Sequence, residues 1–356
     1  MNTPALPATS FSRRLLDWHA CHGRHDLPWQ NTRDPYRIWL SEIMLQQTQV
    51  DTVIRYYQRF LERFADLPTL AAASLDEVLG LWSGLGYYAR ARNLHRAAQT
   101  VMSGHGGVFP QDAETIASLP GIGRSTAAAI AAFAFGQRGA ILDGNVKRVL
   151  CRHQGIEGYP GKKVVENRLW ALAESLLPED AGTIGAYIQA QMDLGATLCT
   201  RTRPACERCP VGADCVARAT ARTDVLPTAR PRKSTPRREA RLAVILGEHG
   251  FLLERRPPSG IWGGLLSLPE LPEGNPDNDA GWLARRYGVR VLDHEALEPL
   301  EHAFTHFRLG IQPVLFKTQA TEHVAEAPLT WVSANTLEEA GLPAPVRKIL
   351  GRLNRR

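Results

Sequence analysis

The sequence predicts a multidomain protein in which an all-α region with a four-cysteine loop is followed by a smaller α+β domain. Three observations carry this expectation. Apolar residues recur at helical period through much of the first 225 positions, four of the six cysteines crowd between positions 199 and 215, and beyond a basic, proline-containing stretch the apolar period changes to two. At 356 residues the chain exceeds one ordinary domain. Its 44% hydrophobic and 22% charged residues are globular values, and a mean hydropathy of −0.23 without a long apolar run excludes a membrane-embedded chain. The first 23 residues lack the apolar segment of an export signal, so a cytoplasmic location is expected. A formal net charge of +6 permits a polyanionic partner without demanding one.

The elements follow in order. Asp34-Pro35 reads as an N-cap and first-turn proline, and Ile38, Trp39 and Leu45 mark one face of the helix that follows. Gln46-Gln47-Thr48-Gln49 interrupts it. Thr48 and Asp51 then resemble a capping box, opening a second helix on which Val50, Val53, Ile54, Tyr57, Phe60, Leu61 and Phe64 recur. A helix from about 113 stops at Leu119-Pro120-Gly121-Ile122-Gly123, and an alanine-rich helix resumes over 125–135. Residues 229–241, basic and without periodicity, read as an extended linker. Past it, 241–246 and 251–255 flank Gly-Glu-His-Gly as a hairpin, 303–316 reads as further strands, and helices are expected over 280–287 and 346–353.

Three groups of residues suggest chemistry. Cys199, Cys206, Cys209 and Cys215 are spaced C-x6-C-x2-C-x5-C; structural zinc prefers two C-x2-C knuckles, and four thiolates along one short loop suit a cubane iron–sulfur cluster better. Cys21 and Cys151 stand apart and read as small buried apolar residues. The Leu119–Gly123 segment has the form of a helix-hairpin-helix, whose glycines let backbone amides and a helix N-terminus face a phosphate. Asp143, in Asp143-Gly144-Asn145-Val146, is an N-cap by pattern; a carboxylate fixed there would stay ionised and could face positive charge developing on a sugar. Glu42 falls three residues from both Trp39 and Leu45, on the apolar face of its helix. An acid so placed is either ion-paired or raised in pKa toward general-acid use.

Taken in order, Leu45-Gln46-Gln47-Thr48-Gln49-Val50, Gly86-Tyr87-Tyr88-Ala89-Arg90-Ala91-Arg92-Asn93-Leu94, the 119–123 hairpin, Asp143-Gly144-Asn145-Val146 and the cysteine loop resemble adenine DNA glycosylases of the MutY type. The hairpin, the aspartate and the cysteine spacing are shared with endonuclease III-like relatives; the glutamine elbow and the Asp-Gly-Asn form narrow the likeness to the adenine-removing branch. The resemblance implies a helical glycosylase region over 8–225, with 30–140 a six-helix part and 8–29 plus 141–225 an iron–sulfur part, then a linker over 226–240 and a Nudix-like domain over 241–356. It implies that Glu42 protonates adenine at N7 and that Asp143 stabilises the oxocarbenium-like sugar, with Asn145 orienting Asp143 and holding a phosphate. Gln189, Trp29 and Ser125 would line the base pocket. Ser125 stands where strand-cutting relatives carry a Schiff-base lysine, so the resemblance implies a monofunctional enzyme. Gln46, Gln47 and Tyr87 would fill the gap left by the extruded base, and Leu119, Gly121 and Gly123 would hold the DNA backbone. Arg201, Arg203 and Arg208 look like phosphate contacts, and Arg148 like an arginine packed near the cluster.

The 256–264 segment, Arg-Pro-Pro-Ser-Gly-Ile-Trp-Gly-Gly, resembles the Nudix-related module of the same family. A Nudix hydrolase needs clustered glutamates for magnesium, and here Arg285 and Arg286 stand in the corresponding stretch, so hydrolysis is not expected. Phe304-Thr305-His306 matches the loop that senses 8-oxoguanine, with threonine where relatives often have serine. The implied partners and cofactor are duplex DNA bearing A:8-oxoguanine or A:G mispairs, no membrane, and a 4Fe–4S cluster; a monomer is expected, nucleoid-associated if bacterial.

Overall fold

A computed structural model describes residues 8–231, 236–257, 260–274, 276–304, 306–320, 329–337 and 340–354. The chain divides into two compact units, one of residues 1–72 with 93–232, the other of 73–92 with 233–356.

The first unit is helical. Its helices are α1 (Ala8–His22), α2 (Pro35–Leu45), α3 (Val50–Arg63), α4 (Leu67–Ala72), most of α6 (Ala89–Gly104), α7 (Ala113–Ser118), α8 (Arg124–Phe135), α9 (Gly144–His153), α10 (Lys163–Ser175), α11 (Ile184–Asp193) and α12 (Val216–Ala219). Asp34 caps α2 by accepting from the Tyr36 amide, and Gly136 in the left-handed region ends α8. α3 departs from expectation: its N-cap is Gln49, with no side-chain cap, and the Thr48 hydroxyl turns back to the Gln46 carbonyl at 3.5 Å. The elbow's own turn takes the threonine that a capping box would have used. Leu15, Val146, Leu150, Tyr187, Ile188 and Leu194 form one continuous core joining α1, α9 and α11. Cys151 is buried in that core, but Cys21 is exposed near the end of α1, contrary to its reading as a core residue, because it falls on the helix's solvent face.

The second unit combines α5 (Leu75–Trp82) and the 83–88 turn with a mixed sheet and two helices, α13 (Asp279–Tyr287) and α14 (Ala344–Leu353). Among the described residues the strands are β1 (Arg237–Gly247), β2 (Gly250–Arg255), β3 (Leu266–Ser267), β4 (Val289–Ala296), β5 (Leu300–Ala303), β6 (Arg308–Ala320) and β7 (Leu329–Val332). Their order is β3-β2-β1-β6-β4, with β5 also on β6 and β7 on β2; β1 and β6 run parallel. Leu242 and Val244 enter one core while Ala243 and Ile245 enter another, so the central strand is buried on both faces and reads as a continuous apolar run. The basic residues 237–241 belong to β1 rather than to a linker. Backbone pairing with 308–312 makes them strand, whatever their charge.

Candidate active site

Two helix ends build the site. Glu42 lies in the last turn of α2, one turn after the fully buried Trp39. Asp143 caps α9, its Oδ1 accepting the Val146 amide at 2.7 Å. The chain reaches Asp143 through buried Ile141 and Leu142, and the Leu142 amide donates to Ser125 Oγ at 2.9 Å. Ser125, in the first turn of α8, therefore ties the start of that helix to the approach to Asp143.

Glu42 and Asp143 line one cleft of about 540 Å³. Trp29, Ser125, Asn145 and Gln189 line it with them, as do Gln46 and Gln47. Glu42, Trp29 and Gln189 also line an adjoining cavity of about 260 Å³, so they form the wall between the two. Trp29 is buried and meets Tyr57 edge-on at 5.5 Å. Burial, and then the Asp143 charge, push the half-buried Glu42 up to about 8, with nothing acting in the other direction. Asp143 was expected to remain an ordinary ionised carboxylate; burial raises it too, opposed by the amides of Val146 and Asn145 and by Arg148 and Lys147. Of the two, only Asp143 has donors and cations that favour its anion.

Asn145 Oδ1 accepts from Arg148 Nη2 at 2.8 Å, and its backbone amide donates to Asp143. Arg148 also donates to the carbonyls of Cys199 at 2.7 Å and Gly195 at 2.6 Å, linking the cleft to the cysteine loop. A Cβ at Gly195 would stand 2.5 Å from Asn145 Cβ, so this contact requires glycine.

The hairpin has the geometry its glycines suggest. Leu119 is buried, Gly121 adopts φ +80 with its Cα packed toward Asn93, where a Cβ would meet the Asn93 Cβ at 2.6 Å, and Gly123 caps α8 with open space beside it and no side-chain cap. The amides of that first turn lack a side-chain acceptor. Gln47 is exposed at φ +58, and Gln46 Nε2 reaches Thr126 Oγ1 at 3.4 Å. In the second unit Tyr87 is 48% exposed at φ +51, above a Gly86 carbonyl that accepts from Trp82 Nε1 and Arg90 Nη2, both at 3.1 Å. Both residues hold a backbone conformation that non-glycine residues seldom adopt, as do Asn31, Ala221 and Trp262.

Cys199, Cys206, Cys209 and Cys215 line one cavity together with Arg152, His153 and Val211. Arg152 Nη1 donates to Cys199 Sγ at 3.4 Å, and burial pushes the Cys209 thiol up to about 11. Among the described residues no three His, Cys, Asp or Glu side chains converge closely enough for a single metal ion. Arg201, Arg203 and Arg208 are exposed on the loop. In the second unit Phe304 stacks on Phe307 at 4.4 Å and His306 is exposed, while Thr305 lies outside the described residues. Where a Nudix hydrolase would present carboxylates, Arg286 pairs with Glu254 at 3.4 Å.

Sequence reasoning missed Asp193, Arg24, Arg152 and Gly195. Asp193 is wholly buried at the end of α11 and accepts from Gln189 Nε2 at 2.9 Å and from the Arg24 amide and Nε, both at 2.8 Å. Its i,i+4 relation to Gln189 was the available signal.

Residues 40–175 match the model of the HhH-GPD superfamily of base excision DNA repair proteins, and residues 241–352 match the NUDIX domain. The chain is 37% identical to the adenine DNA glycosylase of Buchnera aphidicola from Acyrthosiphon pisum over 96% of both proteins. It belongs to the adenine DNA glycosylase family. The human adenine DNA glycosylase is 35% identical over 96% of this chain and 73% of its own length. Among solved structures, a thermostable thymine-DNA glycosylase superposes with a TM-score of 0.55 at 30% identity, covering 60% of this chain and 97% of that one. An endonuclease III–DNA complex shares the fold of the same part, with a TM-score of 0.50 at 20% identity over 61% of this chain and 98% of that one. As an adenine DNA glycosylase family member the protein is a DNA-binding base excision repair enzyme, and among its described residues no helix is long and apolar enough to cross a membrane.

Proposed function

We propose that the protein removes adenine mispaired with 8-oxoguanine, and less efficiently with guanine, by flipping the adenine out of the duplex and hydrolysing its N-glycosidic bond. The observation that carries this reading is the Glu42–Asp143 pair: two carboxyl groups in one cleft whose surroundings leave the proton on Glu42 and the charge on Asp143. Glu42, protonated at neutral pH, gives its proton to N7, so the base departs neutral. Asp143 stabilises the cationic sugar that remains, and Glu42 then takes a proton from the attacking water. Gln189 and Trp29 bound the pocket for the extruded base. Gln47 and Tyr87 occupy the gap in the stack, and the amides at Gly121 and Gly123 hold the DNA backbone. Ser125 has a hydroxyl where a strand-cutting enzyme needs an amine to form a Schiff base, so the enzyme is monofunctional.

The four cysteines fit a 4Fe–4S cluster. They line one cavity together, and four thiolates along one short loop are the ligand set such a cluster takes. Bound there, the cluster supplies structure, holding the loop that presents Arg201, Arg203 and Arg208 to phosphates. The C-terminal domain contributes lesion sensing through Phe304, Thr305 and His306, without nucleotide hydrolysis. The protein acts as a monomer in the cytoplasm, associated with the nucleoid if it is bacterial.

The test is an end-labelled duplex with adenine opposite 8-oxoguanine, analysed with and without alkali beside a thymine-glycol duplex. Alkali-dependent breakage at adenine alone is expected. Alkali-independent breakage at thymine glycol would transfer the protein to oxidised-pyrimidine repair, and no breakage of either would leave a DNA-binding protein.

A further inference from the structure

The wall between the two cavities contains an amide whose orientation is fixed from behind. Gln189, on α11, lines both cavities beside Glu42. Its Nε2 donates to Asp193 Oδ1 at 2.9 Å, one helical turn away. A carboxylate can only accept, so this contact assigns the two ends of the amide: nitrogen toward Asp193, carbonyl oxygen on the other edge. Rotation of the amide by half a turn would set its oxygen against the Asp193 oxygens.

Asp193 is itself immobile and charged. It is wholly buried, and Arg24 holds both of its oxygens, the backbone amide on Oδ2 at 2.8 Å and Nε on Oδ1 at 2.8 Å. Burial acts to raise its carboxyl, but bonds from His19 and Arg24 outweigh this and hold it below the ordinary carboxylate range, so it stays an acceptor at all physiological pH.

We propose that Asp193 is a positioning residue that sets Gln189 as a hydrogen-bond acceptor toward the extruded base, and so makes the pocket select an exocyclic amine over a carbonyl at the same ring position. Adenine presents an amine there. Guanine and hypoxanthine present a carbonyl oxygen, which would face the Gln189 oxygen without a proton between them. The selection is against normal partners as well as for adenine, since a purine with a 6-carbonyl is rejected after flipping. This inference rests on the glycosylase reading above and adds a residue that does not touch the base.

The test compares single-turnover excision of adenine and of hypoxanthine, each opposite the same base in the same duplex, using the full chain with its cluster. Wild type is expected to favour adenine. Asp193→Asn, whose amide can meet Gln189 with either end, should lower the adenine-to-hypoxanthine ratio by about tenfold or more. Gln189→Met should lower it similarly, and in the Gln189→Met background Asp193→Asn should change the ratio no further. A structural defect alone would slow both substrates together and leave the ratio intact. If Asp193→Asn retains the wild-type ratio, or shifts it equally with and without Gln189, the inference is wrong. Failure of wild type to release adenine at all would instead overturn the glycosylase reading on which it rests.

Discussion

The two units treat buried charge differently. In the helical unit Asp193, Arg152, His19 and His153 are buried, and Glu42 and Asp143 stand against a cleft where burial raises both carboxyls. In the sheet unit Asp279 is buried and neutralised by Arg241, and part-buried Trp262 and Phe304 cluster with exposed His306 about buried Phe307. A carboxyl group that donates a proton at neutral pH must be raised above its ordinary pKa, whereas recognition can rest on shape and paired donors. On this contrast the proposed chemistry falls to the helical unit and the proposed reading of the opposite base to the sheet unit.

The contrast breaks most directly at Glu42. Glu42→Gln is expected to lower the single-turnover excision rate by about a thousandfold or more, with Kd for mispaired duplex nearly unchanged. A variant excising at the wild-type rate would remove Glu42 from its role. The pH profile is the next largest effect. The proposed mechanism needs Glu42 protonated and Asp143 ionised, so the rate should fall as pH rises through about 8, and fall again in acid at a pH above the ordinary aspartate value. A rate still climbing between pH 8 and 9 would contradict the assignment of acid and anion.

The sheet unit should respond in another currency. Phe304→Ala removes a ring stacked on Phe307 at 4.4 Å and leaves the cleft untouched. It should reduce the preference for adenine opposite 8-oxoguanine over adenine opposite guanine by about tenfold, with little change in the rate opposite guanine. Equal loss on both substrates would mean that Phe304 supports the fold rather than the reading of the opposite base.

Much of this was legible in the residues. The α2 cap at Asp34, the helical stripe that isolates Glu42 and the hairpin glycines each arise from local physics and are found where the pattern places them; the β1–β2 hairpin is found too, but its first strand is buried on both faces rather than alternating. What could not be read depends on contacts distant in sequence. Asp193 acquires its meaning from Arg24, 169 positions away, and Gly195 from the approach of Asn145. The raised Asp143 carboxyl reflects how deeply the α9 start is enclosed, which a capping pattern does not encode. The start of β1 was misread because its first residues are charged; they pair through the backbone with β6, more than 70 positions later.

The smallest predicted effect is on stability, and its sign separates a functional acid from a structural one. Glu42 is raised from an ordinary value of 4.5 to about 8, so the folded state binds its proton more tightly than the unfolded chain does. Stability from this group is therefore fully present below about pH 4.5 and is lost as pH rises toward 8. Glutamine does not titrate. Glu42→Gln should melt close to wild type at pH 5 and roughly 3–8 °C higher at pH 8.5, the gain growing across that interval. A carboxylate kept for an ion pair would give the opposite trend, with the variant losing stability as pH rises and the pair forms. A higher Tm in alkali together with lost excision would show that the cleft holds this acid at a cost to the fold.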